Sequence, residues 1–169
     1  MKESATHLFN IADTEFWQRL YMNPDFLEGM HLEGMQCEEF RIERMEGSVK
    51  DGFSLCLFSR PKLEIPKALR KVIGDSVTYR EHSSYDPRQN EYHFRLETSV
   101  LSEDIDILGS IRIEKVAEDK VRRTIDIEIA ARIFGVGKIL ERFIAQSSRN
   151  NIEQASRFTT QWLASSQPA

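Results

Sequence analysis

Two stretches near the C-terminus, "DIDILGSIRIEKV" and "VRRTIDIEIAARI", alternate apolar and polar residues along almost their whole length. Alternation of period two is the signature of a strand with one dry face and one wet face. In the second stretch Ile125, Ile127, Ile129, Ala131 and Ile133 share a face, opposite Thr124, Asp126, Glu128 and Arg132. In the first, Ile105, Ile107, Gly109, Ile111 and Ile113 lie opposite Asp106, Ser110, Arg112 and Glu114. A short loop, Glu118 to Lys120, joins them as an antiparallel hairpin, with Ile113 expected opposite Ile125 and Ile111 opposite Ile127. Such a sheet has a dry face that something must cover. The period then turns helical from Val136 to about Ala164, a helix of ~43 Å at 1.5 Å per residue. One stripe of it carries Leu140, Phe143, Ser147, Asn151, Ala155, Phe158 and Trp162. This helix is the expected cover.

The rest of the chain supplies more strands. "SATHLFNI" reads as a first strand and "ADTEFWQRLY" as a helix with Asp13 as its N-cap, carrying Ala12, Phe16 and Leu20 on one face. "MNPDF" breaks that helix at Pro24, and "LEGMHLEGM" offers a second short one. "CEEFRIERM" and "FSLCLFS" flank "EGSVKDG", while "DSVTYREHSSY" and "NEYHFRLETSV" flank "DPRQ". The latter hairpin, closed by Asp86 to Gln89, is expected to align Tyr79 with Leu96, Ser83 with Tyr92, and His82 with His93. The fold class is therefore α+β: about seven antiparallel strands, one or two short helices after the first, and a long C-terminal helix. Residues 1–164 read as one domain and 165–169 as a frayed tail. The compact turns fall at one end of the sheet. The longer connections, including "RPKLEIPKALRKVIG" and "FGVG", gather at the other and mark it as the mouth.

Composition narrows the function. A net charge of −4 and a pI near 5.6 argue against a phosphate-backbone binder, so no nucleic-acid partner is expected. There is no apolar run of membrane-span length and no signal-peptide core, so a cytoplasmic protein is expected. Cys37 and Cys56 form no CxxC, and two free thiols are expected rather than a disulfide or zinc site. His82 and His93, with Glu91 or Glu97, are too sparse a set for a metal site, and no cofactor is expected. "RIFGVGKILERF" imitates a phosphate loop but fails the pattern. Arg132 stands where the first glycine belongs and Ile139 where the hydroxyl belongs. Leu140 spoils the dinucleotide fingerprint. Gly135 and Gly137 instead mark a sharp strand-to-helix corner, or a hinge at the mouth.

This order of elements resembles the helix-grip fold of the START-like and Bet v 1-like (SRPBCC) superfamily. "ADTEFWQRLYMNPDF" is similar to its opening helix and "IFGVGKILERFI" to its passage into the grip helix; within it the chain looks most like an uncharacterised bacterial branch. The resemblance implies a ligand cavity between sheet and helix, and hence binding or transport of a hydrophobic molecule of lipid, sterol or isoprenoid class. The residues that would line it are Tyr79, Glu81, Tyr92, Phe94, Leu96, Ile107, Ile111, Ile127, Ile129, Leu140, Phe143 and Ser147. Gly109, Ala131, Ser147 and Asn151 would leave space in the middle. Glu81 is an odd charge, sharing the inner face with Tyr79, Ser83 and Tyr92. It is either a rim residue or an acid–base group of a cyclase- or hydratase-like enzyme, working with Tyr79 or Tyr92. No nucleophile motif appears. A protein-interaction module with a filled core is the remaining alternative. The amphipathic Ile65–Ile73 segment, with Leu69 and Val72 apolar and Lys67, Arg70 and Lys71 basic, is read as a lid or a transient membrane contact.

Overall fold

The computed structural model describes residues 1–166. Seven strands form one antiparallel sheet in the order β1-β7-β6-β5-β4-β3-β2, which leaves β1 and β2 as its edges. The strands are β1 (Lys2–Phe9), β2 (Glu39–Ser48), β3 (Gly52–Arg60), β4 (Tyr79–Asp86), β5 (Glu91–Thr98), β6 (Ile105–Ala117) and β7 (Lys120–Ala131). The helices are α1 (Pro24–Gly29), α2 (Lys67–Ile73) and α3 (Gly137–Ser165). α3 ends at Ser165, next to the expected Ala164, and the expected tail beyond Ser166 lies outside the described residues. No helix among the described residues is long and apolar enough to cross a membrane.

The inner and outer faces of β6 and β7 fall where the alternation puts them, but the pairing differs by two residues. Ile111 lies opposite Ile125, and Gly109 opposite Ile127. The turn is tighter than expected: Ala117 pairs with Lys120, and Val116 is taken up as a bulge. The β4–β5 hairpin is shifted in the same way. Tyr79 lies opposite Thr98, Glu81 opposite Leu96, and Ser83 opposite Phe94. Its turn is Pro87–Asn90, stabilised by Asn90, which adopts a left-handed φ of +51° and accepts hydrogen bonds from Trp17 Nε1 at 2.8 Å and Tyr85 Oη at 3.0 Å. His82 and His93 are therefore not directly opposed; each meets a carboxylate instead, Glu97 and Glu91 respectively.

The segment after β1 differs more. Residues 13–15 form a turn, and only Trp17–Tyr21 is helical, as a π-helical turn. Asp13 caps no helix. Asn23 does so instead: its side chain accepts from the amides of Asp25 and Phe26, with Pro24 in the first turn of α1. Pro24 thus begins a helix rather than only ending one. α1 runs into a second π turn, Met30–Gly34, whose glycine, together with Gly29, lets the Phe158 side chain of α3 press onto the backbone; a Cβ at either glycine would lie under 3 Å from that side chain. Cys37 sits in the connection before β2, not in a strand, while Cys56 is buried on β3, and both are free thiols.

At the far end of the sheet, Trp17, Tyr21, Phe53, Tyr85 and Tyr92 pack with ring centroids 4.8–6.4 Å apart and close the barrel-like trough. At the other end β7 meets α3. Gly135 turns the chain with φ +80°, and a Cβ at Gly137 would lie 2.5 Å from the Ala131 carbonyl oxygen. The two glycines make the corner, one through its dihedral and the other through close approach. Glu141 braces it by accepting from the Ala131 amide at 3.1 Å and from Lys138 Nζ at 3.0 Å. Between these ends the sheet curves around α3.

Candidate functional site

A cavity of about 180 Å³ lies between the inner face of the sheet, the helical segment after β1, and α3. Alternation places its floor: Tyr79 and Glu81 from β4; Tyr92, Phe94 and Leu96 from β5; Ile107 and Ile111 from β6; Ile127 from β7. All eight are residues that the sequence pattern directs inward. A slip of two residues does not change a side chain's face, so they point inward despite the register error. Ser147 and Asn151 line the space from α3.

Three of the expected residues stand outside the lining. Ile129 and Leu140 are fully packed, with 0% and 1% of their surfaces exposed, and Phe143 packs against the core from the side. The face that α3 turns to the cavity is that of Ile144, Ser147, Ser148, Asn151, Ile152 and Ala155. Leu140 and Phe143 belong to the turn next to the β7 corner. Gly109 leaves no gap either. The Phe94 ring lies across it, and a Cβ there would sit 2.2 Å from the ring. Gly135 and Gly137 form the strand-to-helix corner and are not in the lining. α2 and the residues before it bury Ile65, Leu69 and Ile73 and expose Lys67, Arg70 and Lys71. The apolar face of this segment is already used inside the protein.

The polar groups of the cavity are few and mostly connected. The Tyr92 hydroxyl is 2.5 Å from Glu81 Oε1 and 2.6 Å from Ser83 Oγ. It has one proton, so it donates to Glu81 and accepts from Ser83. Burial raises the Glu81 carboxyl above its usual range, against the lowering effect of the hydrogen bond it accepts from Tyr92. Burial, reinforced by Glu81, raises Tyr92 well above its usual value, and burial raises Tyr79 to about 12. A carboxyl that takes up protons readily, bonded to a neutral phenol, can orient a hydroxyl or carbonyl of a bound molecule or exchange a proton with it.

The chain's pattern hid other lining groups. Tyr21, Met30, His31, Met35 and Cys37 come from the irregular segment before β2, where no periodicity orders the side chains. His31 stacks on Phe40 with centroids 4.1 Å apart, and its Nδ1–H donates to the Leu27 carbonyl at 2.7 Å. Burial lowers its pKa to about 4, which keeps it neutral. Burial pushes the Cys37 thiol up to about 11, away from nucleophile chemistry. Arg123 on β7 also lines the cavity. Among the described residues, no group of three metal-ligating side chains comes together.

Solved structures of similar shape exist. The Zhui aromatase/cyclase from Streptomyces sp. R1128 aligns with a TM-score of 0.67 over 99% of both chains, at 11% identity. Norcoclaurine synthase from Thalictrum flavum, solved with dopamine and hydroxybenzaldehyde, aligns at 0.61 over 100% of this chain and 90% of its own, at 12% identity. A START superfamily protein from Mycobacterium smegmatis aligns at 0.57 over 95% and 97%, at 10% identity. At such identities the likeness establishes the fold and not the chemistry. A sequence comparison with curated proteins finds no match. Residues 11–163 match the family described as protein of unknown function DUF2505. The chain belongs to the DUF2505 family, and its fold is the helix-grip fold of START-like and Bet v 1-like (SRPBCC) proteins.

Proposed function

We propose that this protein binds a hydrophobic small molecule between the sheet and α3. The observation that carries the reading is the cavity itself: an ordinary filled core would not leave about 180 Å³ open beside Ile107, Ile111 and Ile127. Apolar burial, at roughly 25 cal/mol per Å² before ordering costs, supplies the affinity. The volume favours a small occupant. Apolar cavities of about 150 Å³ hold benzene, and drug-sized sites run from about 300 Å³ upward. A molecule of one ring or a short chain fits. A sterol or long isoprenoid requires sheet and helix to part. The ring-sized molecules bound to the norcoclaurine synthase are of the favoured scale.

Native mass spectrometry of freshly purified protein, followed by solvent extraction, tests this. One small apolar molecule per chain is the expected adduct. A bare chain that also takes up no small apolar compound in titration sinks the reading.

The Glu81–Tyr92–Ser83 contact supports a second reading, in which the site performs acid–base chemistry on its ligand. Glu81→Gln then abolishes turnover while binding persists. Equal turnover of the variant, once a substrate is in hand, ends that reading.

A further inference from the structure

The lining of the cavity holds a buried cation that no carboxylate touches directly. Arg123 lies on the inner face of β7, opposite His7 on β1 and Ile113 on β6, and only 2% of it is exposed. Its Nη2 donates to Ser156 Oγ on α3 at 2.7 Å and to His7 Nδ1 at 3.3 Å. The guanidinium carbon stands 4.7 Å from the centre of the Phe9 ring. For His7 Nδ1 to accept, the imidazole must carry its proton on Nε2, which donates to Glu153 Oε1 at 2.9 Å. The groups that touch the arginine are thus an imidazole lone pair, the hydroxyls of Ser156 and Tyr21, and an aromatic face. None is a carboxylate. Nε has no hydrogen-bond partner among the described residues. Of the nearby carboxylates, Glu153 acts on Arg123 from behind His7, and Glu81, on the β4 side of the cavity, is not among the groups that act on it.

A guanidinium does not lose its proton inside a protein, and a buried charged donor without an acceptor is costly. Hydrophobic residues of the same volume would serve a mere core better. Arg123 belongs to the lining of the cavity. An acceptor delivered by the ligand completes its coordination.

We propose that the cavity takes a small apolar carboxylic acid in its carboxylate form. One carboxylate oxygen accepts from Arg123 Nε–H, and the hydrocarbon runs toward the mouth over Ile125, Ile127 and Phe94. The volume limits the acid to roughly ten non-hydrogen atoms: a chain of about eight carbons, or one ring with a short arm. This inference rests on the cavity being a ligand site, and deepens that reading by naming the head group.

Octanoate and 1-octanol separate the two claims, since they share a tail and differ in the head. Isothermal titration of both into the full chain should show octanoate binding at least about tenfold tighter, the worth of one charge-assisted hydrogen bond. Arg123→Met should cut octanoate affinity by tenfold or more and leave octanol within about threefold, and Arg123→Lys should restore part of the loss. Equal binding of the two probes to the wild-type chain overturns the carboxylate assignment and keeps the cavity reading. So does unchanged octanoate binding by a folded Arg123→Met chain. Binding of neither probe overturns both. If Arg123→Met does not fold, the wild-type ratio of the two affinities decides alone.

Discussion

Replacing Ser147 by leucine should close the cavity and stabilise the protein at the same time. Ser147 faces the space from the middle of α3. Unlike Ser156 and Thr159, which bond back to the carbonyls of Ile152 and Ala155, its hydroxyl is not engaged by any described residue. The substitution therefore breaks no hydrogen bond. It adds three carbons to a void of about 180 Å³. At ~0.8 kcal/mol per buried CH₂ the upper bound is about 2.4 kcal/mol, and the gain in helix propensity adds a few tenths. Incomplete burial and lost rotamer freedom bring the expected gain to about 1–2 kcal/mol, in line with cavity filling elsewhere. For a chain of this size that raises Tm by roughly 3–6 °C. Thermal unfolding followed by circular dichroism measures it, with urea titration as a second probe. Titration with octanoate should show binding weakened at least tenfold. A leucine that lowers Tm means the space is already filled, and the reasoning from the cavity fails. A stabilised variant with undiminished binding places the ligand elsewhere.

Ile129→Ala, at a fully packed position outside the cavity, should cost about 3 kcal/mol by urea denaturation and leave ligand affinity unchanged; a cost below 1 kcal/mol would show that the site is loosely packed. His31 sets an acid limit. Its folded pKa of about 4 lies below the ordinary 6.5, so the unfolded chain takes up the proton first. Its stability contribution is full above pH 6.5 and is lost as pH falls through 4, by about 3 kcal/mol in all. His31→Gln should flatten that part of a stability-versus-pH curve, and an unaltered slope would assign it to other groups. Gly137→Ala should destabilise the chain by about 1–3 kcal/mol, because the new methyl meets the Ala131 carbonyl; an unchanged Tm would show that the corner yields freely.

The sequence made the faces of the sheet legible but left its register open. Alternation in "IDIEIAARI" determines which side each residue takes, and a shift of two residues preserves that answer. What chooses between the two pairings is turn geometry. Asn90 can hold a left-handed φ because Trp17, more than seventy positions away, donates to its side chain. Val116 can bulge because it lies at the exposed end of β6. Neither cause is local. The same holds for α3. A helix with apolar residues on more than one side offers several stripes, and Leu140–Phe143–Ser147 is as regular as Ile144–Ser148–Ile152. The cavity is faced by Ser147, Asn151 and Ala155 of the first stripe together with Ile144, Ser148 and Ile152 of the second, because α3 passes the β7 corner, pinned by Glu141, with Leu140 and Phe143 before it reaches the cavity.

Arg123 is the instructive omission, because its signal was present. It stands in phase with Val121, Ile125, Ile127 and Ile129, on the buried side of a strand whose outward positions already hold Arg122, Asp126 and Glu128. A lone arginine in an isoleucine row is the opposite of what burial favours. The same argument that singled out Glu81 on β4 applies to it with greater force, since no register slip of two changes its face. What the chain order hides is the set of neighbours that make an interior guanidinium tolerable: Phe9 and His7 from the first strand, Tyr21 from the segment after it, and Ser156 from the last helix. His7 and Ser156 both take Nη2, and Phe9 covers one face of the plane. They leave Nε–H directed to no described group. A structure that surrounds a permanent charge this carefully, yet stops one acceptor short, is organised around something that arrives from solution. Glu81 and Tyr92 can then meet the other end of that molecule, or its tail, from the opposite wall of the same small space.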